Sequence, residues 1–293
     1  MDIIQQFQKS YSNDNDCIPL IHKLKWPSGF CCPRCQHRSA YTITTRRLPI
    51  YECRSCKHQA SLTSGTAMDK SRTPLHKWLL TLFIVAACEN GTNAVQLAEL
   101  IKVTYKTAWT MLKKIRLVIS DSDRSILLSG VVEAKLEIYM KQPIPTYEAL
   151  QKEHGAIIAR STTSTDSPYL KIKLISCEQS PRGFLTKQAE REFLELHVGS
   201  DLSHIEINRR HINPPGSQAL LPGIAKSAFH WMNDTFHGLG LAYAQSYLDE
   251  FCFRYNQAIN HNHCPFEFLL QLCLSGTSFR RCSINFRTLH IAS

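Results

Sequence analysis

Two cysteine pairs carry the most specific chemistry in this chain: Cys32-Pro33-Arg34-Cys35, then 17 residues, then Cys53-Arg54-Ser55-Cys56. Each Cys-x-x-Cys pair presents two thiolates from one tight turn, and two such turns can close a tetrahedron of sulfur around Zn²⁺. Cys32, Cys35, Cys53 and Cys56 are therefore the expected ligands of a structural zinc ion. A disulfide pair, reduced structural cysteines or an iron–sulfur cluster could use the same residues. The spacing and the basic surroundings favour zinc, and nothing nearby suggests redox chemistry. Cys31 competes for the register with Cys32, but Cys32 has the two-residue spacing to Cys35. Metal binding would then supply folding free energy to a piece too small to fold by burial alone.

The second chemical signal is positive charge. Residues 1–130 hold 18 Lys/Arg against 9 Asp/Glu, while residues 131–293 hold 16 against 15, so nine of the ten net charges lie in the first part. A four-thiolate zinc site would subtract about two of them and leave that part basic. Around the cysteines stand Arg34, Arg38, Arg46, Arg47, Arg54 and Lys57, which suit salt-dependent contacts to phosphate. Further on, residues 93–101 and 104–119 carry helical apolar spacing on either side of a brief turn, with Thr104 placed to cap the second segment. That is helix-turn-helix geometry, with the second helix as the recognition helix. On it Lys106, Thr107, Thr110, Lys113 and Lys114 fall outward; the threonines are candidate groove contacts, and the lysines with Arg116 candidate phosphate contacts. An ordinary helical hairpin with a solvated basic face is the bland alternative. Double-stranded DNA is the expected partner.

Elements that would position these residues follow from the pattern. Two short helices are expected in residues 1–30, built on Ile3, Ile4 and Phe7 and on Cys17, Leu20, Ile21 and Leu24. Trp26 and Phe30 read as packing for the metal knuckle. Residues 40–44 and 48–52 read as strands of a zinc ribbon, and residues 61–66 as a polar connector. A helix from about Pro74 ends near Asn90-Gly91, and residues 122–129 read as a linker. Beyond Gly130 come strands at 131–140, 156–159 and 169–175, a helical insert at 147–154, a helix at 187–197, a break at 213–217 and helices at 225–236, 243–255 and 265–274. His261-Asn262-His263-Cys264 reads as a polar loop, and Cys88, Cys177, Cys252 and Cys273 as core. Twelve cysteines with this usage suit a reduced intracellular protein. No run is long or apolar enough for a membrane helix, and the first residues lack the pattern of a secretory signal. No Gly-rich phosphate loop, nucleophile triad or Rossmann fingerprint is present.

Taken together, Cys32-Pro33-Arg34-Cys35, Tyr51-Glu52-Cys53-Arg54-Ser55-Cys56, Leu62-Thr63-Ser64-Gly65-Thr66, residues 106–116 and Tyr247-Leu248-Asp249-Glu250-Phe251-Cys252-Phe253-Arg254-Tyr255-Asn256 resemble bacterial insertion-sequence transposases. The resemblance is to the family with a zinc ribbon ahead of an ISXO2-like acidic-triad domain of ribonuclease H-like fold. It covers about residues 15–140 and 215–270. It implies two-metal strand cutting and joining, with carboxylates holding two divalent ions. The setting of the first catalytic aspartate reads Val132-Glu133-Ala134-Lys135-Leu136 here, so Lys135 stands where that aspartate is expected. An ammonium cannot ligate Mg²⁺. The segment expected to bear the second aspartate, after Pro215-Gly216-Ser217, reads as deleted, and no third ligand can be assigned. Glu133 and Glu137 share a strand face with Lys135 and read as a salt-bridged surface; Asp249 and Glu250 read as helix-surface or helix-packing residues.

The expected architecture is a multidomain α+β chain. It has an N-terminal helical segment (1–30), a zinc ribbon (31–60), a helix-turn-helix region (72–120), a degenerate ribonuclease H-like α/β domain with a helical C-terminus (130–274) and a tail (275–293). The expected function is transposase-related binding of double-stranded DNA without an assignable catalytic residue, in the cytoplasm of a bacterium and associated with its nucleoid. The body behind the basic head would serve as a homodimer or partner-docking module. The alternatives are an active transposase with an unrecognised Mg²⁺ site, a zinc-ribbon adaptor for another protein, and the product of a decaying gene.

Overall fold

The computed structural model describes residues 3–88, 90–139, 154–162, 168–212, 220–237, 239–260 and 264–275. The expected insert at 147–153, the break at 213–217, the loop at 261–263 and the tail lie outside the described residues. The chain divides into two compact units, Met1–Ile84 with Phe266–Ser293, and Val85–Pro265.

The first unit begins with helices α1 (Ile3–Ser10) and α2 (Asp14–Lys25). A capping box starts α2: the Asn13 side chain accepts from the Asn15 and Asp16 backbone, and the Asp16 carboxylate reaches back to the Asn13 N–H. Strands β1 (Ala40–Ile43), β2 (Ile50–Cys53) and β3 (Gln59–Ser61) form an antiparallel sheet in that order, with Ala40 opposite Cys53 and Tyr51 opposite Ala60. The expected polar connector thus starts inside a third strand, and Thr66 within it is buried. Trp26, Phe30 and Tyr51 pack together beside the knuckles with ring centroids 4.9–5.8 Å apart. Lys25 fixes the turn after β3, its ammonium donating to the carbonyls of Ser61, Leu62 and Ser64 at 3.0, 2.8 and 2.7 Å. Helix α3 (Leu75–Ala87) is capped at long range by Asp14, whose Oδ1 accepts the Leu75 N–H at 2.7 Å and lies 3.1 Å from His76 Nδ1. Phe7 of α1 stacks on Phe83 of α3 and meets the edge of Phe266. Phe266 belongs to the closing helix α9 (Pro265–Ser275), which takes the Ala67 N–H on the Cys273 carbonyl.

The second unit holds α4 (Ala94–Ile101), α5 (Tyr105–Ser125), β4 (Leu128–Tyr139), β5 (His154–Thr162), β6 (Tyr169–Leu174), α6 (Lys187–His197), β7 (Val198–Asn208), α7 (Leu220–Phe236) and α8 (Leu241–Ile259). The sheet order is β6-β5-β4-β7. The β4/β5 and β5/β6 pairs are antiparallel, and β4 runs parallel to β7, which a hairpin cannot connect. Alternation along the strands builds two cores. Val132, Ala134, Leu136, Ile157 and Ala159 pack against Ala189 and Phe193 of α6. Tyr139, Ala156, Ile158, Leu170 and Ile172 pack against α7 and α8. The β6 edge does not stay bare. Asn256 accepts the Leu170 N–H and donates to its carbonyl, while Gln245 accepts the Leu174 N–H and donates to the Ile172 carbonyl. Two amide side chains of α8 thus bond a strand edge that would otherwise need solvent or a neighbour.

Two charged clusters finish the unit. Glu250 of α8, fully buried, receives Arg116 Nε of α5 at 2.6 Å and Arg254 at 2.5 Å, and Arg116 lies 3.8 Å from the Tyr247 ring centre. Asp123 near the end of α5 receives Lys171 at 3.2 Å and Lys173 at 2.6 Å, and Lys173 also reaches Asp249 at 2.6 Å. These ties explain one departure from the expected elements. Helix α5 runs to Ser125, so the expected linker is helical over its first four residues. Helices α4 and α5, expected in the basic head, belong to the second unit. Asp249 and Glu250 are packing residues, and both are buried.

Removing Glu250 strands Arg116 in the interior, so Glu250→Ala is expected to destabilise the second unit by about 3–5 kcal/mol in urea denaturation of the full chain. Desolvation works against ionised Asp123 and Glu250, yet Lys173 with Lys171, and Arg116 with Arg254, hold both carboxyls below their ordinary range. Depressed folded-state values contribute stability at neutral pH that is lost as pH falls below about 4. Near-ultraviolet circular dichroism against pH should therefore show an acid transition, and Asp123→Asn should flatten it.

Candidate metal centre and basic surface

The cysteine knuckles are two copies of one backbone device. Cys32 N–H donates to the His37 carbonyl at 3.0 Å, and Gln36 N–H returns to the Cys32 carbonyl at 2.9 Å. Cys53 and Lys57 repeat this with the carbonyls of His58 and Cys53, at 2.9 and 3.0 Å. The turns close through left-handed residues, Gln36 at φ 62° and Lys57 at φ 58°. Arg54 N–H donates to the Ser39 carbonyl, tying the second knuckle to the strand that leaves the first.

All four sulfurs lie within 4.8 Å of one another, with Cys32–Cys56 and Cys35–Cys53 each at 3.6 Å. A zinc tetrahedron with Zn–S bonds of about 2.3 Å has edges of roughly 3.8 Å, so the cluster is compatible with a structural zinc site. Among the described residues it is the one group of three or more His, Cys, Asp or Glu side chains whose ligand atoms converge in this way. Cys32 is the first member of the cluster, and Cys31 turns its thiol toward the Gln36 carbonyl instead. Close approach of the thiols drives Cys53 and Cys56 in opposite directions. Desolvation pushes Cys53 up, but the Cys56 and Ser55 backbone N–H groups and the neighbouring thiols bring it down to about 7. The His58 backbone N–H lowers Cys56, but desolvation and the other three thiols raise it to about 12. A divalent cation is the natural means of carrying several thiolates at once.

Arg34, Arg38 and Arg46 are exposed around this cluster. Arg54 and Lys57 lie over the ring of Tyr41 at 4.6 and 5.5 Å. Arg47 is exposed but engaged, 3.5 Å from Asp14 and donating to the Arg72 carbonyl. The α4–α5 turn forms as its caps require: Asn93 opens α4 with a capping box, Lys102 ends it in the left-handed region, and Thr104 Oγ1 accepts the Thr107 N–H to open α5. Lys106, Thr110 and Lys113 are exposed on α5, with Thr107 and Lys114 half-buried. Thr110 donates its hydroxyl to the Lys106 carbonyl, and the Thr107 hydroxyl pairs with that of Thr104. Arg116 corrects the expectation for a phosphate contact. It is 4% exposed because its guanidinium neutralises Glu250 inside the unit.

Lys135 is buried in the middle of β4, opposite Asn208 of β7. Its ammonium donates to the carbonyls of Arg210 and His211 at 3.1 and 2.8 Å and lies 2.9 Å from Glu137 Oε1. The other Glu137 oxygen is 3.1 Å from His211 Nδ1. The expected salt-bridged surface is thus a buried cluster for Lys135 and Glu137, with Glu133 alone of the three exposed. The two-residue alternation of β4 revealed the Lys135–Glu137 pairing, but nothing local pointed to His211. The cysteines expected in the core also divide. Cys252 and Cys273 are buried, whereas Cys88 is half-buried and Cys177 is exposed, 3.4 Å from His154 Nδ1.

The fold is a mixed α/β one in more than one unit, with a cysteine cluster on a small three-stranded sheet near its start. Residues 12–59 match the family of transposase zinc-ribbon domains, a span that takes in α2 as well as the knuckles. A protein described as "Uncharacterized protein in transposable element ISH50", from Halobacterium salinarum, is 27% identical over 107 residues. That alignment covers 36% of this chain and 36% of the relative, so the chain spans about a third of the length of the curated relative it matches. No solved structure matches the chain. These likenesses link the chain to transposase-associated zinc-ribbon proteins at family level. No helix among the described residues is long and apolar enough to cross a membrane.

The purified chain is expected to carry about one zinc per molecule by elemental analysis. Cys35→Ser should lower that content, and a strong chelator should melt β1–β3, because bound zinc would supply their folding free energy.

Proposed function

We propose that this chain is a transposase-derived protein that binds double-stranded DNA through its zinc ribbon and the basic outer face of α5, and that it does not cut the strand it holds. One observation carries the reading. A four-cysteine knuckle pair of the transposase zinc-ribbon kind presents Arg34, Arg38, Arg46, Arg54 and Lys57 outward, with few carboxylates to neutralise them. Bound zinc would keep the two knuckles in register, and the arginines would contact phosphates in a salt-dependent, sequence-independent way. Thr107 and Thr110, near the start of the second helix of a helix-turn-helix, supply candidate contacts to base edges.

Behind this head we place a degenerate ribonuclease H-like domain. Three antiparallel strands followed by a fourth parallel to the first support that assignment, since the ribonuclease H-like fold uses the same order. Loss of strand cutting is supported by the company its acids keep. Two-metal chemistry needs carboxylates free to converge on Mg²⁺. Here Lys135 holds Glu137, Lys171 and Lys173 hold Asp123, Lys173 holds Asp249, and Arg116 with Arg254 holds Glu250. Each of these acids is thus already neutralised by a lysine or arginine of the chain itself. The domain then serves as a dimerisation or partner-docking body.

The test is fluorescence anisotropy of the full chain with a labelled random-sequence duplex over a range of salt, paired with a nicking assay in Mg²⁺. Binding should weaken steeply with salt, and Arg34→Ala with Arg54→Ala should reduce the slope of log K against log salt by about one per lost contact. The duplex should remain intact. No binding at low salt, or Mg²⁺-dependent nicks, would overturn the proposal.

A further inference from the structure

The basic outer face of α5 also carries aromatic rings, which duplex binding does not use. Tyr105, Trp109, Lys113 and Leu117 recur every four residues and so lie on one helix face. Tyr105 is 57% exposed and Leu117 51%. Tyr243, 47% exposed on the first turn of α8, stands beside this stripe with its ring 6.2 Å from that of Trp109 and turned by 80°. The two rings make a corner rather than a stack. The ammonium of Lys113 sits in that corner, 5.1 Å from the Trp109 centre and 5.9 Å from the Tyr243 centre.

Tyr105 and Tyr243 are exposed and Trp109 is half-buried, and contiguous open apolar surface of this kind marks a binding site. Local charge selects the kind of ligand. From Tyr105 to Ser120 of α5 there is no Asp or Glu, and none from Leu241 to Leu248 of α8, while Lys106 and Lys113 point outward. Gly240 caps α8 without a side-chain acceptor, which leaves the positive end of a 19-residue helix close to Tyr243. Flat apolar faces interleaved with cations, free of carboxylates, suit an anionic polymer whose units carry planar rings. A duplex keeps its bases stacked and its π-faces covered, whereas an unpaired strand offers both phosphate and base face.

We propose that the Trp109–Tyr243 corner is a stacking site for an unpaired base of single-stranded DNA. One base lies on one ring with its edge toward the other, and Lys113 and Lys106 take the adjoining phosphates. The proposal rests on the DNA-binding reading above and extends it, because it assigns a frayed or overhanging end to α5 in addition to the duplex.

The experiment uses the full chain with labelled 15-nucleotide oligothymidine, an abasic strand of the same length, a blunt duplex, and that duplex with an unpaired extension. Wild type should prefer the extended duplex to the blunt one, bind oligothymidine with quenching of tryptophan fluorescence, and bind the abasic strand weakly. Trp109→Leu and Tyr243→Leu should each weaken oligothymidine binding by about 5- to 150-fold, the range for one lost stacked aromatic, with blunt-duplex affinity unchanged. Tyr243, on an exposed first turn, provides the second test should Trp109→Leu lower the melting temperature. Equal binding of the abasic strand, wild-type affinity in both variants, or blunt-duplex binding with no preference for the extension would each overturn this site while leaving duplex recognition standing. The last outcome would assign the aromatic stripe to a protein partner. Binding of no DNA at all would remove both proposals together.

Discussion

A charge taken out of water must meet its opposite, and in the second unit that requirement organises most of the long-range structure. Asp249 and Glu250 are neighbours on α8, so they leave the helix in different directions. Asp249 meets Lys173 of β6, while Glu250 meets Arg116 of α5 and Arg254 one turn further along α8. Lys173 in turn meets Asp123 near the end of α5. Helix α5 is therefore held at two points two turns apart, and α8 is held to the edge of the sheet by ion pairs and by the amides of Gln245 and Asn256. Such pairs contribute little net stability beyond what apolar packing would provide, but breaking one partner is costly. Their effect is to fix which helix lies where.

The first unit solves a different problem. Its sheet has strands of three and four residues and can bury little. Two repeated knuckles bring four sulfurs together, and Trp26, Phe30 and Tyr51 pack on one another. Asp14 and Lys25 tie α2 to the start of α3 and to the turn after β3 through backbone atoms rather than apolar area. Where core is scarce, charge-assisted hydrogen bonds take its place, and a four-sulfur cluster compatible with zinc could add metal ligation.

For function, the same neutralisation has a consequence. Carboxylates already bonded to lysine and arginine are poor candidates for divalent ions, since each would have to release an internal cation first. Lys135 shows the point at the residue where the transposase resemblance expects an aspartate, because its ammonium pairs with Glu137 and donates to three backbone carbonyls at once. In the reading proposed here, the acidic cage has become a set of struts, and what remains for DNA is the outward basic surface.

Local features were legible in the sequence because they rest on short-range rules. The Cys-x-x-Cys spacing picked out the four cysteines that cluster, with Cys32 rather than Cys31 among them. Apolar periodicity placed α4, the Thr104 cap placed the start of α5, and two-residue alternation put Lys135 and Glu137 on one face of β4. What tertiary structure alone decided was the fate of charged residues whose partners lie far along the chain. Arg116 reads as one more outward cation of a basic helix until Glu250, 134 residues away, draws it inside. Helix α5 outruns its expected end because Asp123 has Lys171 and Lys173 to meet. A periodicity reports which face of a helix a side chain occupies; it carries no record of the counter-charge that makes burial on that face possible.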